Sequence, residues 1–192
     1  MEKLRAVSEV PVPDSSPYGE WGRLTRFLES ARLAFARERD LWVTLGVDEQ
    51  VRISASGYNV AVRKHTDAVE DGEMLHASVL LHSYALAESA AADRLAMDLR
   101  SLRGIEDWGA RLLSANDCDW SEVKGGLSGA VEVAVVRNAF AHGSRTVDQP
   151  ARARLLAAGA RTRPVGSVVT LPYSQLREFR ARLLSLLNAA GI

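Results

Sequence analysis

Hydrophobic residues recur along most of this chain at three- and four-residue steps, the period of helices with one face turned inward. The first such run follows Ser16-Pro17, a capping residue with proline at the first helical position. It extends to about Asp40, with Trp21, Leu24, Leu28, Ala31 and Phe35 on one stripe. Upstream, Pro11, Pro13 and Pro17 make residues 6–18 an irregular lead-in. Between residues 41 and 63 the period changes to two. Val51 and Ile53, then Tyr58, Val60 and Val62, alternate with polar partners on either side of Ser56-Gly57, which predicts a β-hairpin; a continued helix is the alternative. Residues 64–72 are polar and turn-like, closing at Asp71-Gly72.

From about Glu73 to Arg103 the chain is strongly helical, with a stripe at Leu81, Tyr84, Ala85, Ala91, Ala92, Leu95, Leu99 and Leu102. Apolar residues elsewhere around the wheel predict a central helix touching several neighbours. Gly104 ends it, a short helix follows at Ile105–Ser114, and Asn116–Gly126 reads as a loop with one turn at Trp120–Lys124. Ser128 is the expected cap of a helix running to about His142, and Gly143 stands where a left-handed terminal residue belongs. Residues 150–158 read as helix, 159–166 as a basic loop and Ser167–Leu171 as a short strand. The last helix, Ser174–Ala189, carries its stripe at Leu176, Phe179, Leu183 and Leu187. The fold class predicted is mainly α, a helical bundle with a minor β-hairpin or short strands. Residues 1–72 supply an N-terminal helix and an irregular or hairpin extension, and 73–192 a helical domain, with which 1–72 either merges or not.

Composition narrows the function classes. The chain has 192 residues, 47% hydrophobic and 25% charged, which fits one ordinary globular domain. No stretch approaches the ~20 apolar residues of a membrane span, and Met1-Glu2-Lys3-Leu4-Arg5 lacks the apolar core of a signal peptide. Cys118 is the only cysteine, which excludes an intrachain disulfide and a cysteine-based zinc cluster; it reads as a small packing residue or inert thiol. The expected location is the cytoplasm, with no membrane partner. Net charge is zero but unevenly spread: residues 65–136 carry 5 basic and 13 acidic side chains, residues 137–192 carry 9 arginines, no lysine and 2 acids. Arginine forks suit phosphate, since a planar guanidinium donates two parallel hydrogen bonds. Codon bias accounts for the missing lysine; it does not account for the scarcity of acids.

The segment Ala130–Gly143 carries the candidate chemistry. It is apolar nearly all round and then presents Arg137, Asn138 and His142 within six positions. A helix of that kind is buried, and an ionised group buried without partners costs several kcal/mol, roughly, so these side chains must be hydrogen-bonded or face a ligand. Residues five apart are separated by about 140° on an ideal helix, so Arg137 and His142 do not stack on one face, whereas Asn138 and His142 do share one.

The string Arg137-Asn138-Ala139-Phe140-Ala141-His142-Gly143 resembles the R-x4–6-H motif of the HEPN ribonucleases, in the form found in prokaryotic toxin and phage-defence members. The resemblance covers roughly residues 73–190: an earlier long helix containing a glutamate, a motif helix, and a terminal helix after a short basic insertion. Residues 1–70 lie outside it. It implies a HEPN-like bundle working as a homodimer, and a metal-independent endoribonuclease that leaves a 2′,3′-cyclic phosphate and a 5′-hydroxyl. The implied partners are RNA and an antitoxin or other defence protein, and no cofactor is expected. His142 would move the proton, Arg137 would neutralise the phosphate, and Asn138 would position the imidazole or the phosphate. Glu88 either orients Arg137 or sits at the edge of its stripe in water. Arg145, Arg152, Arg154, Arg161 and Arg163 are candidate RNA contacts. The alternative is a non-catalytic module that binds RNA or protein through the same cleft, or a helical scaffold in which the motif is structural.

Other residues carry less. No Asp/Glu/His cluster has convincing metal-ligand spacing. His76 and His82 are six apart on different faces, His65 reads as solvated, and Trp21, Trp42, Trp108 and Trp120 read as core rather than base-stacking platforms. The position two after His142, which in some HEPN toxins is a tyrosine open to modification by a partner, is Ser144; control by that route is therefore not implied.

Overall fold

The computed structural model describes residues 16–46 and 49–192, so residues 6–15 of the expected lead-in lie outside it. Among the described residues the chain is mainly helical. Seven α-helices and one two-stranded antiparallel sheet follow in the order α1 (Pro17–Trp42), β1 (Gln50–Ile53), β2 (Tyr58–Ala61), α2 (Val62–Glu70), α3 (Glu73–Leu95), α4 (Ile105–Ser114), α5 (Gly126–Ala141), α6 (Gln149–Ala157) and α7 (Tyr173–Ala189). No helix among these residues is long and apolar enough to cross a membrane.

The local signals behave as their chemistry requires. The Ser16 hydroxyl accepts from the Gly19 amide at 3.1 Å, with Pro17 opening α1. The hairpin forms in the register Val51 opposite Val60 and Ile53 opposite Tyr58, turning at Gly57 with φ 69°. The expected strand at Ser167–Leu171 is reduced to a single bridge between Thr146 and Val168. The cap of α5 is Gly125, with φ 80°, and not Ser128, whose hydroxyl donates back to the Gly125 carbonyl at 3.1 Å.

Two stretches depart from expectation for identifiable reasons. Residues 64–72 are not a turn but most of α2, whose inward positions Val62, His65, Thr66 and Val69 keep helical spacing with polar groups in the middle. His65 is correspondingly not solvated. It bonds the Tyr58 hydroxyl at 2.9 Å and the Glu38 carboxylate of α1 at 3.1 Å, and stands edge-on to Trp42. The long helix ends at Leu95 rather than Arg103, because Ala96 turns left-handed at φ 51° and the amides of Ala96 and Met97 fold back on the last carbonyls. Its buried face keeps Tyr84, Ala91 and Ala92 of the predicted stripe but is wider and rotated at its start. Leu80, Ser83, Tyr84, Ala87 and Ala91 face inward, while Ala85 and Leu99 are exposed.

Two helices share the centre: α3, as its all-round apolar pattern predicts, is packed by α1, α4, α5 and α7, and α5, the apolar hub of the C-terminal half, by α3, α4, α6 and α7. Val131, Val133, Val135 and Val136 are all buried. β-branched residues cost a helix up to ~0.7 kcal/mol each, whereas burying a valine contributes roughly 1.5 kcal/mol or more, so packing wins over propensity. Trp21 and Leu28 of α1 belong to the same continuous core as Trp108, Leu112, Phe179 and Leu183.

Candidate functional site

The C-terminal turn of α5 is where that apolar hub meets the surface. His142 closes the helix, its amide bonding the Asn138 carbonyl at 3.0 Å, and Gly143 reverses the chain at φ 69°. The next residues are pinned by the 166–169 segment, through Val147 N–H to Ser167 O at 3.0 Å and Val169 N–H to Arg145 O at 2.8 Å. Asp148 then caps α6 by accepting from the Ala151 amide at 2.7 Å. This return brings α6 alongside α5 and sets Arg154 beside Asn138.

Two clefts flank the end of α5. The larger, about 490 Å³, is lined by Tyr84, Glu88, Arg103, Gly104, Glu106, Asp107, Arg137, Asn138 and Arg154. The smaller, about 300 Å³, holds His142 with Val135, Asn138, Ala139, Ser144, Thr146, Asp148, Pro150, Ala151 and Arg154. Arg137 and His142 thus open onto neighbouring clefts, as their angular separation requires, and Asn138 and Arg154 belong to both.

Arg137 is half-buried and incompletely satisfied. Nη1 donates to Asn138 Oδ1 at 2.9 Å, Nη2 lies 3.7 Å from Glu88 Oε2, and the guanidinium sits 4.9 Å over the Tyr84 ring. Its Nε is buried with no hydrogen-bond partner among the described residues. Glu88, one turn after Tyr84 on α3, therefore stands beside Arg137 in the cleft. Burial raises the Glu88 carboxyl above its ordinary range, and the Arg137 charge offsets only part of that. His142 is exposed and its ring has no hydrogen-bond partner among the described residues.

The other arginines separate. Arg154 is clamped by Glu106 through two bonds of 2.8 Å, Nε to Oε1 and Nη2 to Oε2. Burial acts upward on Glu106, but the Arg154 hydrogen bonds and charge, with a backbone amide, hold its carboxyl below the usual range. Arg145 pairs with Glu73 and leans on Phe140 at 5.3 Å, adopting φ 49°. Arg152 is exposed on α6. Arg161 and Arg163 line a small recess with Glu132, Leu155 and Val169. The five candidate RNA contacts are thus dispersed, with Arg154 alone in the clefts. Sequence reasoning missed Tyr84, Arg103, Glu106 and Asp107, which come from α3 and from the segment after it. Three cations and three carboxylates line the larger cleft, but Glu106 is taken by Arg154 and Asp107 by Arg111 at 3.2 Å. Arg103 has no ion pair among the described residues, so the unmatched charge is positive.

Cys118 is half-buried, and burial together with Glu122, Asp117 and Asp119 raises its thiol pKa, which disfavours a thiolate. His76 bonds the Leu171 carbonyl at 3.0 Å, while His82 is exposed and bonds only its own helix, at Ser78 O, 3.2 Å away. Compared with protein-family models, with curated proteins and with solved structures, the chain matches none.

Proposed function

We propose that this protein is a metal-independent endoribonuclease of the HEPN kind, acting as a homodimer in toxin or phage-defence biology. The observation that carries the proposal is the end of α5. An otherwise buried, valine-rich helix finishes in an under-satisfied guanidinium and an unpartnered, exposed imidazole, opening onto clefts joined through Asn138 and Arg154. A structural arginine would be expected to carry tighter partners than a carboxylate at 3.7 Å.

In this reading His142 takes the proton of a ribose 2′-hydroxyl. The freed oxygen attacks the adjacent phosphorus, the bond to the 5′-oxygen breaks, and the imidazolium so formed returns its proton to the leaving oxygen. RNA is left with a 2′,3′-cyclic phosphate and a 5′-hydroxyl. Arg137, steered by Glu88 and Asn138, neutralises charge building on the phosphate oxygens. DNA lacks the nucleophile and is not cut by this route. The dispersed arginines favour a site that grips one or two phosphates over a continuous basic track.

Incubation of purified protein with single-stranded RNA in EDTA tests this. His142→Ala is expected to lower the rate about 10²–10⁴-fold and Arg137→Ala about 10²–10³-fold, with both variants folded. Cleavage at parental rate by either folded variant removes the assignment. Salt-sensitive RNA binding without any cleavage by the parent favours the non-catalytic module instead.

A further inference from the structure

Arg180, on α7, is the buried arginine among the described residues, and it lacks the carboxylate partner that several half-buried arginines have. Arg145 meets Glu73, Arg154 meets Glu106 and Arg182 meets Glu132, each a carboxylate. Arg180 is only 7% exposed, yet it is held by neutral groups alone: Ser83 Oγ at 3.0 Å from Nε, and the Trp21 carbonyl at 3.2 Å and Thr25 Oγ1 at 2.9 Å from Nη2. Its guanidinium lies 4.9 Å over the Trp21 ring. No carboxylate among the described residues is within ion-pair distance, and Nη1 has no hydrogen-bond partner among them. Burial correspondingly lowers the pKa of this group. Bridging α1, α3 and α7 accounts for the hydrogen bonds of Nε and Nη2. It does not account for a full charge, because neutral acceptors need none, and Glu29 acts on it only from beyond ion-pair distance, offsetting part of the cost of burial.

That charge borders a cleft of about 190 Å³ between α1 and α7. Arg177, three residues earlier, lines the same cleft without an ion pair among the described residues, and Leu28, Ala181 and Leu184 give it an apolar wall. One carboxylate, Glu29, stands at the rim, engaged by the Tyr173 hydroxyl and by Arg32 at 3.0 Å; Arg32 itself lies 3.4 Å over the Tyr173 ring. Two guanidinium groups without an ion pair, influenced only at longer range by Glu29 and next to an apolar surface, match a planar or tetrahedral oxyanion carried on a short hydrocarbon. We propose that the α1–α7 cleft is a second ligand site, separate from the α5 clefts, which takes a small carboxylate or phosphate with its head between Arg180 and Arg177. The inference does not depend on the nuclease reading.

Thermal shift and calorimetric titration of the full chain with butanoate and with inorganic phosphate, against sodium chloride at matched ionic strength, test it. Saturable binding of either probe is expected, and the tighter one identifies the head group. Exposed Arg177→Gln should weaken binding about tenfold or more, and Leu184→Trp, which fills the cleft without altering charge, should abolish it. Glu29→Gln should tighten it severalfold by removing the rim charge. Binding that is lost in Arg137→Ala but kept in Arg177→Gln would belong to the α5 clefts and overturn the assignment, so failure here and failure of the nuclease proposal are read separately. Absence of saturable binding by the parent, or equal binding in folded Arg177→Gln and the parent, overturns the proposal.

Discussion

Gly109 lies buried in the middle of α4, the helix whose first turn delivers Glu106 and Asp107 to the larger cleft. Its backbone is ordinary helix, so the usual expectation is that Gly109→Ala stabilises, by roughly 0.8–1.0 kcal/mol of helix propensity. The structure reverses that sign. A Cβ built on Gly109 falls 2.5 Å from Trp120 Cη2 and 2.9 Å from Cζ2, where carbon contacts normally begin near about 3.5 Å. The ring must withdraw by about 1 Å, and it is rigid and packed against the core. Overpacking of this size costs about 1–3 kcal/mol, so the net expectation is destabilisation of roughly 0–2 kcal/mol. A double-mutant cycle isolates the cause. In a Trp120→Leu background the overlap is gone and Gly109→Ala should stabilise by close to its full propensity gain, giving a coupling of about 1–3 kcal/mol. Urea unfolding of the four proteins measures it. Equal effects of Gly109→Ala in both backgrounds would show that the indole does not set the glycine requirement, and the reasoning fails.

Two further outcomes follow from the site. Because burial raises the Glu88 pKa, the folded state holds a proton there more tightly than the unfolded chain, and stability falls as pH rises from the ordinary carboxylate range to the raised value. Glu88→Gln should flatten that part of the profile and raise Tm at neutral pH while lowering RNA cleavage; melts from about pH 4 to about pH 8 check it, and a parent that loses nothing relative to the variant across this range contradicts it. Gly104 has φ −64°, open to any residue, but an added Cβ would lie 2.4 Å from Glu106 Oε2 and 3.2 Å from Arg154 Nη2. Gly104→Ala should therefore displace the flexible Glu106 carboxylate and loosen Arg154 at a stability change within about 1 kcal/mol, detected as altered salt dependence of RNA binding; unaltered binding removes Arg154 from the RNA contact set.

Legibility differed by element for physical reasons. The starts and ends of α1, α4, α6 and α7 were readable, because caps, prolines and apolar periodicity are local. So was the hairpin, whose alternation brackets Ser56-Gly57. The helix α2 was not, because its inward positions His65 and Thr66 are polar: His65 is held by Glu38 of α1 and by Tyr58, and Thr66 bonds back to the Val62 and Arg63 carbonyls of its own helix. The end of α3 was missed because alanine at φ 51° carries no signature in the sequence. At the site, Arg137, Asn138 and His142 were visible as polar residues ending an apolar helix, and the Glu88 contact as a carboxylate on the partner helix. Glu106 and Arg154 were not visible as a pair, since 48 residues separate them and only packing of α4 and α6 against α5 joins them.

The 140° between Arg137 and His142 leads to the sharpest test of how the proposed site is assembled. Within one subunit the guanidinium and the imidazole line different clefts. If each reaction uses Arg137 from one copy and His142 from the other, a two-fold dimer contains two composite sites. A dimer of one Arg137→Ala and one His142→Ala subunit then keeps one whole site, assembled from the intact histidine of the first and the intact arginine of the second. Equal mixing with free exchange gives half heterodimers, so the mixture should recover about a quarter of parental cleavage, from two proteins that are each nearly inactive. Recovery should also fall on dilution as dimers dissociate. A mixture no more active than its components, under conditions where labelled subunits exchange, would mean that both groups serve the same scissile phosphate from one chain, and Arg154 would then be the residue spanning the two clefts.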